Sequence, residues 1–232
     1  MSVFQEAMSS YYEYYSKDLM TAIHAVVVSS ERILDSLVAV KPLINEVTLA
    51  GEVVEWPEIL DVPLIFPCTA SSAITFPVRQ GDTVLLVFSM RGLDEWKRSF
   101  LGTITPQDRR NHSLQDAVAI PGLRPIIRSR NNPLARRLPH SVNDFSFTHN
   151  IGGDTEAEVR IKSNGNIEIT SPTKLIVKCP ETEWLGDITL SGNITQTGNY
   201  SVNGSLTYNG EEYSLHTHTG VRGGSDVSGP KS

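Results

Sequence analysis

The sequence predicts an all-β protein: a small N-terminal barrel, then an intertwined β-helical shaft that closes only when three chains wind together, with one short helix in front. Three observations predict it. Short apolar segments punctuated by proline fill residues 22–105. A glycine recurs at every sixth position near the C-terminal end. Gly, Asn, Ser and Thr concentrate in the last third, which favours strands and turns over a helical bundle.

Residues 1–20 form the helical element. Phe4, Ala7, Met8, Tyr11, Tyr12, Tyr15 and Leu19 recur at helical spacing. The cluster Tyr11-Tyr12-Glu13-Tyr14-Tyr15 can dock on a partner or pack on its own domain; the spacing alone leaves both open.

Residues 21–115 form the barrel domain. Ala22–Ser29, Leu34–Val40, Val47–Trp56, Val62–Phe66 and Asp82–Phe88 are rich in Val, Leu and Ile. Pro57, Pro63, Pro67 and Pro77 separate them, as does the turn Gln80-Gly81-Asp82. About five strands in this length fit a small closed barrel of the OB type. Such barrels serve many purposes, so the fold alone does not give the function.

Residues 116–150 read as a linker. Arg124, Arg128, Arg130, Arg136 and Arg137 crowd a stretch broken by Pro121, Pro125, Pro133 and Pro139. A solvated or subunit-wrapping segment fits this pattern. A nucleic-acid arm does not, because the stretch offers no aromatic ring on which a base could stack. The formal net charge of −6 likewise gives no long-range attraction to nucleic acid or an acidic membrane surface.

Residues 151–215 form the shaft. Gly186, Gly192, Gly198, Gly204 and Gly210 are spaced by six, and an apolar–hydroxyl–apolar triplet follows most of them. Alternate residues of a strand share a face. Ile188, Leu190, Ile194, Tyr200, Val202, Leu206 and Tyr208 therefore point one way, with the Thr and Ser residues towards water, and Gln196 interrupts the apolar column. Upstream, Val159–Ile161, Ile167–Ile169 and Leu175–Val177 alternate similarly, with a turn at Asn164-Gly165. Each unit buries about two apolar side chains, worth about 1.5–3 kcal/mol each. Ordering its backbone costs about 1–2 kcal/mol per residue. Neighbours must make up the deficit. A single-chain left-handed β-helix needs three hexads per coil and at least about three repeat units of core, and these hexads are too few. Three chains around one axis solve the problem, each forming one wall of a triangular prism.

Residues 216–232 form the tip. His216 and His218 are two apart, so on a strand both imidazoles point to one side. Threefold symmetry then gathers six imidazoles at one point. Six nitrogens suit an octahedral ion; imidazole binds iron, nickel, copper or zinc, but tetrahedral zinc matches six equivalent ligands poorly. An ion so enclosed keeps no open position for substrate and is structural. His24, His112, His140 and His149 lack a partner at ligand spacing and read as ordinary structural or surface residues.

Cys68 and Cys179 suggest neither a disulfide framework nor a zinc site. They read as small buried residues of a protein made in a reducing cytosol. The N-terminus has no signal-peptide pattern, and no apolar run approaches the ~20 residues of a spanning helix. No Ser/His/Asp motif and no phosphate-cradling glycine loop is present, so no enzyme is expected.

The C-terminal stretch from His216-Thr-His218-Thr-Gly220 to Gly229-Pro230 resembles the His-x-His tip and glycine-rich cap of the baseplate central spike, or membrane-puncturing, proteins of contractile-tailed phages. Val40-Lys-Pro-Leu-Ile-Asn45, Asp61-Val-Pro-Leu, Thr75-Phe-Pro77-Val-Arg-Gln-Gly81-Asp82 and Arg91-Gly-Leu-Asp-Glu-Trp96 resemble that family's OB domain. The resemblance implies a homotrimer docked on a tail hub or baseplate protein, with one structural iron ion per trimer held by His216 and His218. It implies a virion component at the tip of the tail, synthesised in the bacterial host cytoplasm. Tail contraction would drive it through the host outer membrane during viral entry. A trimeric receptor-binding tail fibre tip is the alternative, since such tips also carry His-x-His metal sites; the OB-like front half sets the two apart.

Overall fold

The computed structural model describes residues 3–17, 19–48, 50–99 and 102–213. The chain divides into two compact units, Met1–Leu175 and Ile176–Ser232. It is mostly β-structure with few helices.

The first unit opens with helix α1 (Val3–Lys17), where the apolar spacing placed a helix. Phe4, Met8, Tyr11 and Tyr12 stay exposed. Seven strands follow: β1 (Ala22–Ser29), β2 (Leu37–Pro42), β3 (Glu46–Val47), β4 (Val53–Val54), β5 (Ile59–Pro63), β6 (Thr83–Phe88) and β7 (Ala117–Pro121). β3 and β4 pair only with each other. The other five make one antiparallel sheet in the order β5-β2-β1-β6-β7.

This sheet curls into a half-barrel. Pairing registers shift between Val27 and Ser29 and between Val38 and Val40, and such bulges bend a strand and sharpen its twist. The curl brings the outer strands together: Leu64 pairs in parallel with Ala119, and the Ile65 amide donates to the Ala119 carbonyl at 2.9 Å. Ala117 and Ala119 are fully buried there. Strict alternation fills the interior with Val38 and Val40 from β2, Val84, Leu86 and Phe88 from β6, and Ala25 and Val27 from β1.

β1 lies where its alternation placed it. The expected strand Val47–Trp56 is instead the short β3–β4 hairpin, with Gly51 at φ 82. Leu34 falls in a 3-10 turn, Ile33–Asp35, so β2 begins only at Leu37. Residues 116–150, read as a linker, carry β7 and a further strand, β8 (Phe145–His149). β7 reads Ala-Val-Ala-Ile-Pro, and its two alanines carry little strand preference.

A buried ion pair anchors the start of β7. Asp116 is 0 % exposed. It accepts from Arg110 Nε at 2.7 Å and Nη2 at 2.9 Å, and from the Leu93 amide at 2.9 Å. Arg110 also reaches Asp94, in the short helix α2 (Asp94–Lys97), at 2.6 Å, and Asp108 at 3.0 Å. Burial pushes the Asp116 carboxyl up, but the guanidinium and the amide outweigh it and hold it below the usual carboxylate range.

β8, β9 (Ala157–Ile161) and β10 (Ile167–Thr170) form an antiparallel three-stranded sheet in the order β10-β9-β8. In the second unit, β11 (Thr207–Tyr208) pairs with β12 (Glu211–Glu212). Asn209 and Gly210, at φ 50 and 84, make its two-residue turn, as the Asn-Gly preference of such hairpins requires. Between Ile176 and Leu206 the described chain forms no helix or strand, and every residue is exposed.

Candidate functional surfaces

The hexads repeat in conformation as well as in sequence. Gly186, Gly192, Gly198 and Gly204 have φ of 121, 129, 114 and 144, a region open to glycine and closed to most other residues. Gly210 departs from this group, at φ 84, and closes the β11–β12 turn. Ile188, Leu190, Ile194, Tyr200, Val202, Leu206 and Tyr208 are 40–72 % exposed. The intervening Thr189, Thr195 and Ser201 are exposed too. Neither the apolar nor the hydroxyl column is covered by the chain itself.

His216 and His218 lie outside the described residues, as does the whole of the tip from residue 216 onwards. Among the described residues, no group of three or more His, Cys, Asp or Glu side chains is placed to hold a metal. Cys68 and Cys179, expected to be buried, are both exposed in the single chain. The Cys179 Sγ lies 2.9 Å from Thr182 Oγ1.

The arginine-rich stretch engages its own chain. Arg124 pairs with Asp82 at 2.9 Å. Arg136 donates to Thr148 Oγ1 at 2.6 Å and lies 3.6 Å from Glu158. The Arg137 side chain pairs with Asp154, and its amide donates to Glu156 at 2.9 Å. Glu156 also accepts from the Leu138 amide at 3.2 Å and the Gly152 amide at 2.5 Å. Burial pushes the Glu156 carboxyl up, and these amides pull it below its ordinary value. Glu158 binds Arg160 on the same face of β9, and both are buried. The strap of residues 136–144 is thus pinned to one face of the small sheet by buried charges, a feature that composition alone does not signal.

His140 belongs to this cluster. Both of its ring nitrogens are buried and make no hydrogen bond to the described protein, and the same holds for Arg160 Nε. Burial pushes the imidazole below the usual histidine range; Arg136 and Arg160 push the same way, while Glu158 and Asp144 oppose them. The unfolded chain, with an ordinary histidine pKa near ~6.5, therefore takes up a proton before the folded one does. Stability is expected to fall as pH drops from about 6.5 towards the lowered folded value. Melting temperatures recorded across this window should decline less steeply for His140→Gln than for the wild type. Equal slopes would show that His140 does not titrate in a strained site.

The front of the chain carries the one match to a known family. Residues 25–122 match the family described as phage protein Gp138 N-terminal domain. The match covers less than half of the chain, and it takes in all of the half-barrel from Ala25 to β7. It ties that domain to a family of phage proteins. Among curated proteins none matches the chain.

Proposed function

We propose that this chain is one subunit of a homotrimeric central spike at the tip of a contractile phage tail, a virion component that pierces the host outer membrane when the tail contracts. The observation that carries the reading is the hexad segment. Four glycines at one recurring positive φ set out a periodic chain whose apolar column has no cover within its own molecule. Two further copies of the same chain supply that cover by symmetry, giving the intertwined β-helical shaft.

The phage-family match of residues 25–122 supports the assignment to a phage particle. The half-barrel supports a hub-docking domain. Taking β1, β2, β5, β6 and β7 as its five strands, their neighbours run first-second-third-fifth-fourth-first once the Leu64–Ala119 bridge is included, the order of an OB barrel. At the far end, His216 and His218 would hold one iron ion per trimer. Two neutral imidazoles from each of three chains are a donor set suited to an octahedral ion. The action is mechanical: a prism whose sheet edges are paired between chains resists bending and sticks to no other strand, and its hydroxyl-bearing exterior passes through lipid without anchoring there.

Light scattering coupled to size exclusion tests this directly. The purified protein is expected to show about three times the 25.5 kDa chain mass. A monomer at every concentration would end the spike reading. Antibody labelling of particles in the electron microscope separates a central spike from a peripheral fibre tip.

A further inference from the structure

The sheet of β8, β9 and β10 has its faces reversed for an isolated chain. Its polar face carries Ser146, Thr148, Glu158 and Arg160, and this is the face its own chain covers: Glu158 and Arg160 are buried, with Arg136 held against Thr148 and Glu158. Its other face carries Phe145, Phe147, Val159, Ile161, Ile167 and Ile169, which are 40–67 % exposed. An antiparallel sheet with one wet face ordinarily buries its apolar side. Here the strap occupies the polar side, so a second layer for the apolar side must come from outside the chain.

The registers arrange the six side chains as two straight cross-strand rows. Phe145 lies opposite Ile161, which lies opposite Ile167; Phe147 lies opposite Val159, which lies opposite Ile169. Neither row contains a charge or a hydrogen-bonding side chain. Ile74 and Phe76 join Phe147, Val159 and Ile169 around an open cleft of about 610 Å³, which extends the same apolar surface.

We infer that this face is an interface between copies of this chain, a trimer contact made upstream of the hexads. The inference rests on the trimeric reading above and deepens it. Three observations name a second copy as the occupant. The six positions offer nothing to a charged or polar partner. The downstream hexads show the same apolar alternation, also uncovered, and one threefold operation covers both. The two rows are one strand repeat apart, about 7 Å, so an identical sheet presents rows at the matching spacing. β8, which the sequence pattern left in a linker, thereby becomes part of the assembly surface.

The test uses the full chain. Val159→Thr with Ile169→Thr keeps β-branched residues, and so strand preference, at both positions, while replacing methyl groups by hydroxyls. Ile188→Thr with Leu190→Thr makes the parallel change in the hexads. Trimer mass is followed by light scattering through a dilution series, with a guanidinium series if dilution alone does not dissociate the wild type. The sheet variant is expected to dissociate at a chain concentration at least tenfold higher, or at a clearly lower denaturant concentration, than the wild type. Phe147→Lys, which puts an unpaired cation into the contact, should do so more strongly, with far-UV circular dichroism reporting that its strands persist. If the wild type and both sheet variants are trimers of equal stability while the hexad variant falls apart, the inference is wrong and the trimeric reading stands. If the wild type itself is monomeric throughout, the trimeric reading fails and takes this contact with it.

Discussion

Replacing Arg110 with alanine is expected to cost the half-barrel about 3–5 kcal/mol, the usual consequence of removing one partner of a buried ion pair. Asp116 is completely buried, and Arg110 supplies two of its three hydrogen bonds. Without the guanidinium, that carboxylate must stay charged and unpaired or take up a proton. Against a typical domain stability of about 5–15 kcal/mol, this is a large fraction, and thermal denaturation should show a much lower midpoint. Arg110→Lys should recover little, because an ammonium cannot make the two-point contact. The wild type carries a related pH signature. The folded carboxyl of Asp116 sits below its unfolded value. The stability it contributes is therefore fully present above about pH 4 and is lost as pH falls through the folded pKa. A loss below about 1 kcal/mol on Arg110→Ala would be of the size of an exposed pair and would overturn the anchoring role of this network.

The His216→Ala, His218→Ala double variant is expected to lose its metal completely. Elemental analysis of the wild type from iron-replete cells should find about one ion per three chains, and of the variant none. The variant should remain trimeric, because the apolar burial proposed for assembly lies upstream of residue 216. Acidification should release the ion from the wild type well below neutrality. The ligands must be neutral to bind, and a bound metal resists protonation beyond the ordinary histidine midpoint near ~6.5. Metal retained in the variant would remove the tip assignment and leave the hexad argument untouched.

Much of the barrel was legible from alternation, because β1 and β6 each bury every second residue and the sequence spells that period. β7 was not, because alanines at its inward positions carry a burial signal without a strand signal. The buried Arg110–Asp116 pair could not be read either: charged residues in a proline-rich stretch default to solvent, and only the closing of the sheet takes Asp116 out of water. The same default hid Glu156, Glu158 and Arg160. The alternation of β9 was visible, but it was natural to assume that its apolar side faced the core of its own chain. The cysteines misled in the opposite direction, since their general tendency to be buried says nothing about a site the chain leaves open. The six-residue period was legible in full. The tip residues His216 and His218 lie outside the described chain.

The recurring positive φ of Gly186, Gly192, Gly198 and Gly204 makes the needle countable. Lengthening or shortening the segment by a whole hexad leaves every glycine in phase and every apolar side chain on its column. A change of any other length moves a residue with a Cβ into a conformation that costs roughly 1–2 kcal/mol per site, repeated in each wound chain. Reach towards the far side of a target envelope can therefore vary only in steps of one repeat, with the gene as its own ruler.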